Sequence, residues 1–403
     1  MRDNRSGAQR APTAHRAAWL AIPLAALLAA CGGGGSDTST PITVSSVTVM
    51  GDSLADSGTF GYKFTVQKMT AAGAIDLVTP RVYPELIANL YGFASLCSHY
   101  AATSATTFVA NPKPGCTNYA IGGGRINNVT APTSPVSIPV QLANAAAAGN
   151  YGANDMLIID GGGNDAADLI GAYLAAATDG GASYAGLLGS LLPAATVGAA
   201  LTGGAQTQAA IGGTYMTTLA DTFYASITTN ALNKGAKRVV VLNMPGITNT
   251  PRFQAVLAQI AAVSGGGATG AAAAAQAAGL FGSWIVAFNT ELAAKAAGDA
   301  RVVLVDFFTN FNAQVAAPAQ YGLQNATTPA CPQTGTDTSM LATYTFPACT
   351  DVALTAQTPP TGATGGANWW QTYGFADSFH PTPQGHKNLA QLISRSLGQA
   401  GWL

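Results

Sequence analysis

Apolar positions along the chain fall into two patterns. Residues 44–50 are β-branched and apolar at Val44, Val47 and Val49, alternating with Ser45, Ser46 and Thr48. Residues 156–160, 238–242 and 301–306 are instead near-continuous apolar runs. Continuous runs suit strands buried on both faces of a parallel sheet. The segments between them are long enough for crossover helices. The pattern therefore predicts a single α/β domain with helices on both sides of the sheet. A short strand at 117–121 is the candidate for a fifth position.

Helical signals frame these runs. Near the C-terminus, Thr382 reads as an N-cap and Pro383 as the first helical residue. Leu389, Leu392, Ile393 and Leu397 then form one apolar stripe. Residues 180–213 and 259–279 are Ala/Gly-rich and read as helical excursions from the sheet edge. Gly265 to Gly270 fits Gly-x-Gly-x-x-Gly literally. It lies in an Ala/Gly tract with no strand just before it, and such matches arise by chance where Gly is frequent.

Composition narrows the class. Charged residues make up only 9% of the 403, while 48% are hydrophobic. Disorder needs the opposite balance, and a coiled coil needs charges beside its seam. Net charge is −1. Arg2, Arg5, Arg10 and Arg16 lie in the first 30 residues with one acid, Asp3, so the remainder is more acidic still. No Lys/Arg cluster is left to neutralise phosphates, which argues against a nucleic-acid partner.

Those four arginines precede an apolar run at 17–30, too short for the roughly 20 residues a membrane-spanning helix needs. Residues 1–30 are therefore expected to be a secretory signal. Leu28-Ala29-Ala30-Cys31 resembles a bacterial lipobox, which implies lipidation of Cys31 and a membrane anchor facing the periplasm or cell surface. Residues 31–42, rich in Gly, Ser and Thr, then read as a flexible tether, with the folded domain at 43–403. Export permits disulfides. Cys97, Cys116, Cys331 and Cys349 form two local couples without the Cys-x-x-Cys spacing of zinc sites. Cys97–Cys116 with Cys331–Cys349 is the pairing that closes the shortest loops.

Candidate chemistry sits at the two ends of the domain. Gly51-Asp52-Ser53-Leu54 follows directly on the first strand, where ligands of open parallel sheets bind. A lone Ser there would read as a helix N-cap. Asp377-Ser378-Phe379-His380-Pro381 lies just before the last helix. A nucleophilic Ser needs a base, and the base needs an orienting carboxylate; His380 and Asp377 supply both from one loop. Of the other histidines, His15 lies in the signal, His99 reads as a loop residue and His386 as solvated in the first turns of the last helix. Trp369 and Trp370 either line an acyl pocket or pack beneath the His380 loop.

These residues carry a resemblance. Val49-Met50-Gly51-Asp52-Ser53-Leu54-Ala55-Asp56-Ser57-Gly58 resembles block I of the GDSL/SGNH hydrolases, bacterial lipase/esterase branch, although this branch commonly has Phe at the position of Met50. Asn118-Tyr119-Ala120-Ile121-Gly122-Gly123-Gly124 resembles block II, Gly162-Gly163-Asn164-Asp165 block III, and Asp377 to Thr382 block V. The blocks come in the family's order across the mature chain. The resemblance implies a flavodoxin-like three-layer sandwich with a five-stranded parallel sheet. It also implies a serine hydrolase of carboxylic esters, lipid or other acyl esters, that needs no metal or organic cofactor. Ser53, His380 and Asp377 form the implied triad. The amides of Ser53 and Gly123 and the side chain of Asn164 form the implied oxyanion hole; Gly122 competes for the Gly123 role. Asp52 and Asp165 are expected to fix loops. A lipid acyltransferase would use the same triad. A non-catalytic surface-binding lipoprotein would be expected to have lost one of these residues. An autotransporter passenger would need barrel strands beyond Leu403.

Overall fold

The computed structural model describes residues 42–403. The expected signal at 1–30, Cys31 and the tether up to residue 41 lie outside the described residues.

The chain begins with β1 (Ser46–Met50) and continues through α1 (Tyr83–Leu90), the hairpin β2 (Tyr100–Ala102) and β3 (Phe108–Ala110), α2 (Ile138–Ala147) and β4 (Asp155–Ile159). A helical excursion follows: α3 (Gly163–Asp179), α4 (Ala182–Gly189), α5 (Ala194–Thr202) and α6 (Ala205–Asn230). The path returns to β5 (Arg238–Leu242), leaves through α7 (Pro251–Val263) and α8 (Gly267–Ala296), and re-enters the sheet as β6 (Val302–Val305). It ends with α9 (Phe307–Ala316), β7 (Asn325–Pro329), the small hairpin β8 (Gly335–Thr336) and β9 (Ala342–Thr343), α10 (Asp351–Thr355), β10 (Tyr373–Phe375) and α11 (Pro383–Gln399).

Among the described residues the central sheet has four parallel strands in the order β1-β4-β5-β6. Val49 lies opposite Ile158, Ile158 opposite Val240, and Val240 opposite Val303. Both faces are covered, which is why β4, β5 and β6 run apolar after their first residues. Leu157, Ile159, Val239 and Val241 enter a core with Phe223, Trp284 and Phe288 of α6 and α8. Met156, Ile158, Val240 and Leu242 enter a second core with Ile87 of α1 and Leu389, Ile393 and Leu397 of α11. Each such side chain, fully buried, contributes about 1.5–3 kcal/mol. The architecture is the expected three-layer α/β sandwich.

The fifth position differs from expectation. Residues 117–121 do lie along the free edge of β1: the Val49 N–H donates to Thr117 O at 3.0 Å, and the Tyr119 N–H to Val49 O at 2.7 Å. Only a single bridge, Val49 to Asn118, results. The ladder stops there because the Gly51 N–H, which would continue it, donates to Gln141 Oε1 at 2.8 Å. Counting this segment, the spatial order is second, first, third, fourth, fifth, which puts the topological switch point between β1 and β4.

Length and composition alone would let α8 cross a membrane. Instead its stripe of Phe281, Trp284, Ile285, Phe288 and Leu292 is buried in the first core. The two disulfides join Cys97 to Cys116 and Cys331 to Cys349, as the loop lengths suggested.

Candidate active site

The switch point is where the turn carrying Ser53 is built. At Gly51 a Cβ would fall 1.6 Å from Asp160 Oδ1, so only glycine lets the two meet. Gln141 clamps Gly51 from both sides: its Oε1 accepts the Gly51 N–H at 2.8 Å and its Nε2 donates to Gly51 O at 3.0 Å. Asp160 Oδ1 accepts the Asp52 N–H at 3.1 Å, and Asp52 Oδ1 accepts the Leu54 N–H at 2.9 Å. This last bond is an Asx turn, which sets Ser53 at the carboxyl edge of the sheet.

The partner loop forms just after β10. The Ala376 N–H donates to His380 O at 2.8 Å, and Phe375 bridges Pro381. Within that turn Asp377 Oδ1 accepts the N–H groups of Phe379, at 2.8 Å, and of His380, at 2.6 Å. Its Oδ2 faces His380 Nδ1 at 2.9 Å, and His380 Nε2 lies 2.7 Å from Ser53 Oγ. A carboxylate only accepts, so Nδ1 carries the ring proton and Nε2 accepts from the Ser53 hydroxyl. Burial by itself would raise the Asp377 carboxyl. The His380 charge and its ring and backbone hydrogen bonds, with the Phe379 N–H, outweigh burial and hold it below its ordinary value. Thr382 caps α11 by accepting the Gly385 N–H at 3.3 Å, which anchors the loop as the Thr-Pro signal predicted. Phe64, Phe346 and Phe379 surround the imidazole at ring-centroid distances of 5.2, 5.3 and 5.6 Å.

Free N–H donors lie at the same edge. The N–H groups of Ser53 and Gly123 have no acceptor among the described residues. Gly123 adopts φ +81, a left-handed conformation that glycine takes without strain. Its carbonyl is held by Arg125 Nη1 at 2.6 Å, and the Arg125 guanidinium is in turn paired with Asp168. The neighbouring Gly122 N–H is already taken by Asp56 Oδ2 at 2.9 Å, which favours Gly123 over Gly122 as the free donor. Asn164, in the first turn of α3, donates one Nδ2–H to Gly124 O at 2.9 Å and keeps its second N–H. Asp165 is buried. Its Oδ2 accepts the Ile126 N–H at 3.0 Å and its Oδ1 the Asn127 N–H at 2.7 Å, fixing the loop as expected. Burial raises this carboxyl to about 6 against the pull of those two amides.

Sequence reasoning missed several supports. Asp56 joins the nucleophile loop to the glycine loop, since its Oδ1 also accepts from Gly58 and Thr59 at 2.8 Å. Arg125 aims the Gly123 peptide. Lys63 and Glu85, both buried, pair at 2.7 Å, and the loop they hold reaches the His380 turn through Thr65 Oγ1, 2.9 Å from Pro381 O. The acids at 52 and 56 lie in the quoted motif, and that motif was the available signal; Lys63 and Arg125 carry none. His386 is not solvated. It is fully buried where α11 meets α1, and its Nδ1 accepts the Tyr83 N–H at 3.3 Å. Burial pushes its ring down to about 3, so it is neutral. His99 does sit in a loop region, stacked on Tyr119. Trp369 and Trp370 pack with the Cys331–Cys349 bridge and Tyr373, which decides for packing over an acyl pocket.

Two spaces meet at the triad. One is a small, largely apolar cavity, the more enclosed of the two, bordered by Ser53, Gly161 and Phe379. The other is an open groove of about 900 Å³ lined by Asn164, His380 and the β8–β9 hairpin. Among the described residues no three His, Cys, Asp or Glu side chains converge as metal ligands. A hydroxyl polarised by an imidazole, beside unpaired N–H donors, is an arrangement for acyl transfer. A family model described as GDSL-like Lipase/Acylhydrolase matches residues 47–393. No curated protein matches the chain.

Proposed function

The chain belongs to the GDSL-like lipase/acylhydrolase family, and from that premise we propose that it is a serine hydrolase of carboxylic esters, lipid or other acyl esters, of the bacterial lipolytic branch. The observation that carries the reading is the continuous line from Ser53 Oγ through the His380 ring to Asp377 Oδ2, with links of 2.7 and 2.9 Å. Ser53 Oγ adds to the ester carbonyl as its proton passes to Nε2. Asp377, held ionised, stabilises the imidazolium and fixes its tautomer. Charge on the carbonyl oxygen is received by the free N–H groups of Ser53 and Gly123 and the spare N–H of Asn164. The imidazolium returns its proton to the leaving alcohol, and the same base then activates water to release the acid. Ser53→Ala is expected to abolish ester hydrolysis with an unchanged melting temperature. Wild-type turnover in the folded variant would refute the assignment.

The N-terminal signal and its lipobox-like end support an exported lipoprotein anchored through Cys31. Mass spectrometry of the mature N-terminus should find acyl chains on Cys31; an unmodified, freely soluble form would contradict the anchor.

A further inference from the structure

The two spaces at the triad, the cavity bordered by Ser53 and the groove bordered by His380, differ in ways that assign the two halves of an ester. We propose that the enclosed cavity is the acyl-chain site and accepts a short unbranched acyl group, while the open groove receives the alcohol. This rests on the esterase reading and adds to it the substrate class.

Shape and polarity favour hydrocarbon in the enclosed cavity. Its volume is about 70 Å³. That holds on the order of five water-sized groups, comparable to the methylenes of a hexanoyl chain. Phe311 and Val315 of α9, and Leu323 and Ala326 around β7, form its apolar walls. Three of its polar wall residues are hydrogen-bonded to protein groups. Gln314 donates to Asn310 at 2.8 Å and accepts from Asn388 at 3.2 Å. Asn243 donates to Asp306 at 3.0 Å and accepts the Phe308 N–H at 2.8 Å. Thr250 donates to Ile247 O at 2.7 Å. Asp160 Oδ2, beside the Ser53 turn, has no partner among the described residues. A space so lined offers little to water or a headgroup and suits an apolar chain.

The chemistry sets which half goes where. The leaving alcohol must take its proton from His380 Nε2, and His380 borders the groove and not the cavity. The acyl half stays bonded to Ser53 Oγ after the alcohol departs, so it tolerates an enclosed site. The alcohol must leave and water must enter from the same side, which needs the open one. Phe379 borders both spaces.

The test is a series of p-nitrophenyl esters from acetate to palmitate, beside a second series with fixed acetate and varied alcohols. Wild-type kcat/KM should peak near hexanoate and be far lower for palmitate. Ala326→Leu fills the cavity and should move the peak to shorter chains, with about a tenfold loss for each methylene that no longer fits. Phe311→Ala enlarges it and should move the peak to longer chains. Neither variant should reorder the alcohol series. The opposite signs keep the test informative if one variant fails to fold. Labelling of Ser53 by diisopropyl fluorophosphate separates the two readings. A labelled enzyme whose acyl profile is unmoved, or whose alcohol profile moves instead, overturns the cavity assignment alone. A protein that neither labels at Ser53 nor hydrolyses any ester overturns the esterase reading and the cavity assignment with it.

Discussion

Asp377 and Asp165 are both buried aspartates that accept two backbone N–H groups, yet their surroundings drive them in opposite directions. Asp377 places both N–H groups on Oδ1, which leaves Oδ2 for the His380 ring. Asp165 uses one oxygen for each N–H, from Ile126 and Asn127, and has none to spare. With an imidazole partner, Asp377 is held below its ordinary value despite burial. Asp165, with burial dominant, rises to about 6. A carboxylate in a turn can thus orient an imidazole or only fix a loop, according to which oxygen the turn leaves free and what charge stands opposite it.

The same substitution at both sites should split activity from stability. At Asp377→Asn the amide oxygen can still hold the turn, but the NH2 group faces Nδ1 and forces the wrong tautomer. kcat should fall by about 10⁴-fold with the fold retained. Steady-state kinetics with a thermal melt checks this, and a variant within tenfold of wild type would break the comparison.

Asn164 lies next in sequence to Asp165 but faces the groove, so it should behave like the catalytic region. Asn164→Ala is expected to lower kcat by about 10²–10³-fold with little change in KM, because the donor strengthens mainly in the transition state. A pure KM effect would make Asn164 a loop cap.

Asp165→Asn loses one of two buried acceptors and should cost about 1–3 kcal/mol of stability, with kcat close to wild type. Its pH dependence sharpens the contrast. A carboxyl raised from 3.8 to about 6 gives stability that is full below the lower value and lost as pH rises through the upper one, on the order of 3 kcal/mol at most. Wild type should therefore gain stability relative to Asp165→Asn between pH 7.5 and 5. Asp377 has the opposite sign: its contribution is present above the ordinary value and lost only as pH falls through its lowered one. Melting temperatures of both variants across this range give the test; parallel curves would contradict it.

What was legible in the chain follows from range. The strands at 156–160 and 238–242 show in the sequence because burial on both faces leaves a continuous apolar run. Asp377 and His380 show because their contact closes within one turn. Their meeting with Ser53, 327 residues away, rested on resemblance and not on pattern. Arg125 and Lys63 could not be read, since nothing local marks an Arg that aims a glycine peptide or a Lys buried against Glu85. His386 misled because its place near the start of a polar-faced helix looks solvated, while α1, some 300 residues earlier, covers it. The edge at 117–121 misled for the converse reason: it does bond to β1, but Gln141, a residue of the next helix, takes the Gly51 N–H that would extend the ladder.

The central claim is that Ser53 becomes covalently acylated with His380 as its base. Acid-quenched turnover of a hexanoyl ester, followed by peptide mapping, tests it most directly. The account predicts a hexanoyl adduct on the peptide carrying Ser53 that accumulates within the first turnover and is missing in Ser53→Ala. An adduct on another residue, or rapid hydrolysis with no acylated intermediate, would contradict it.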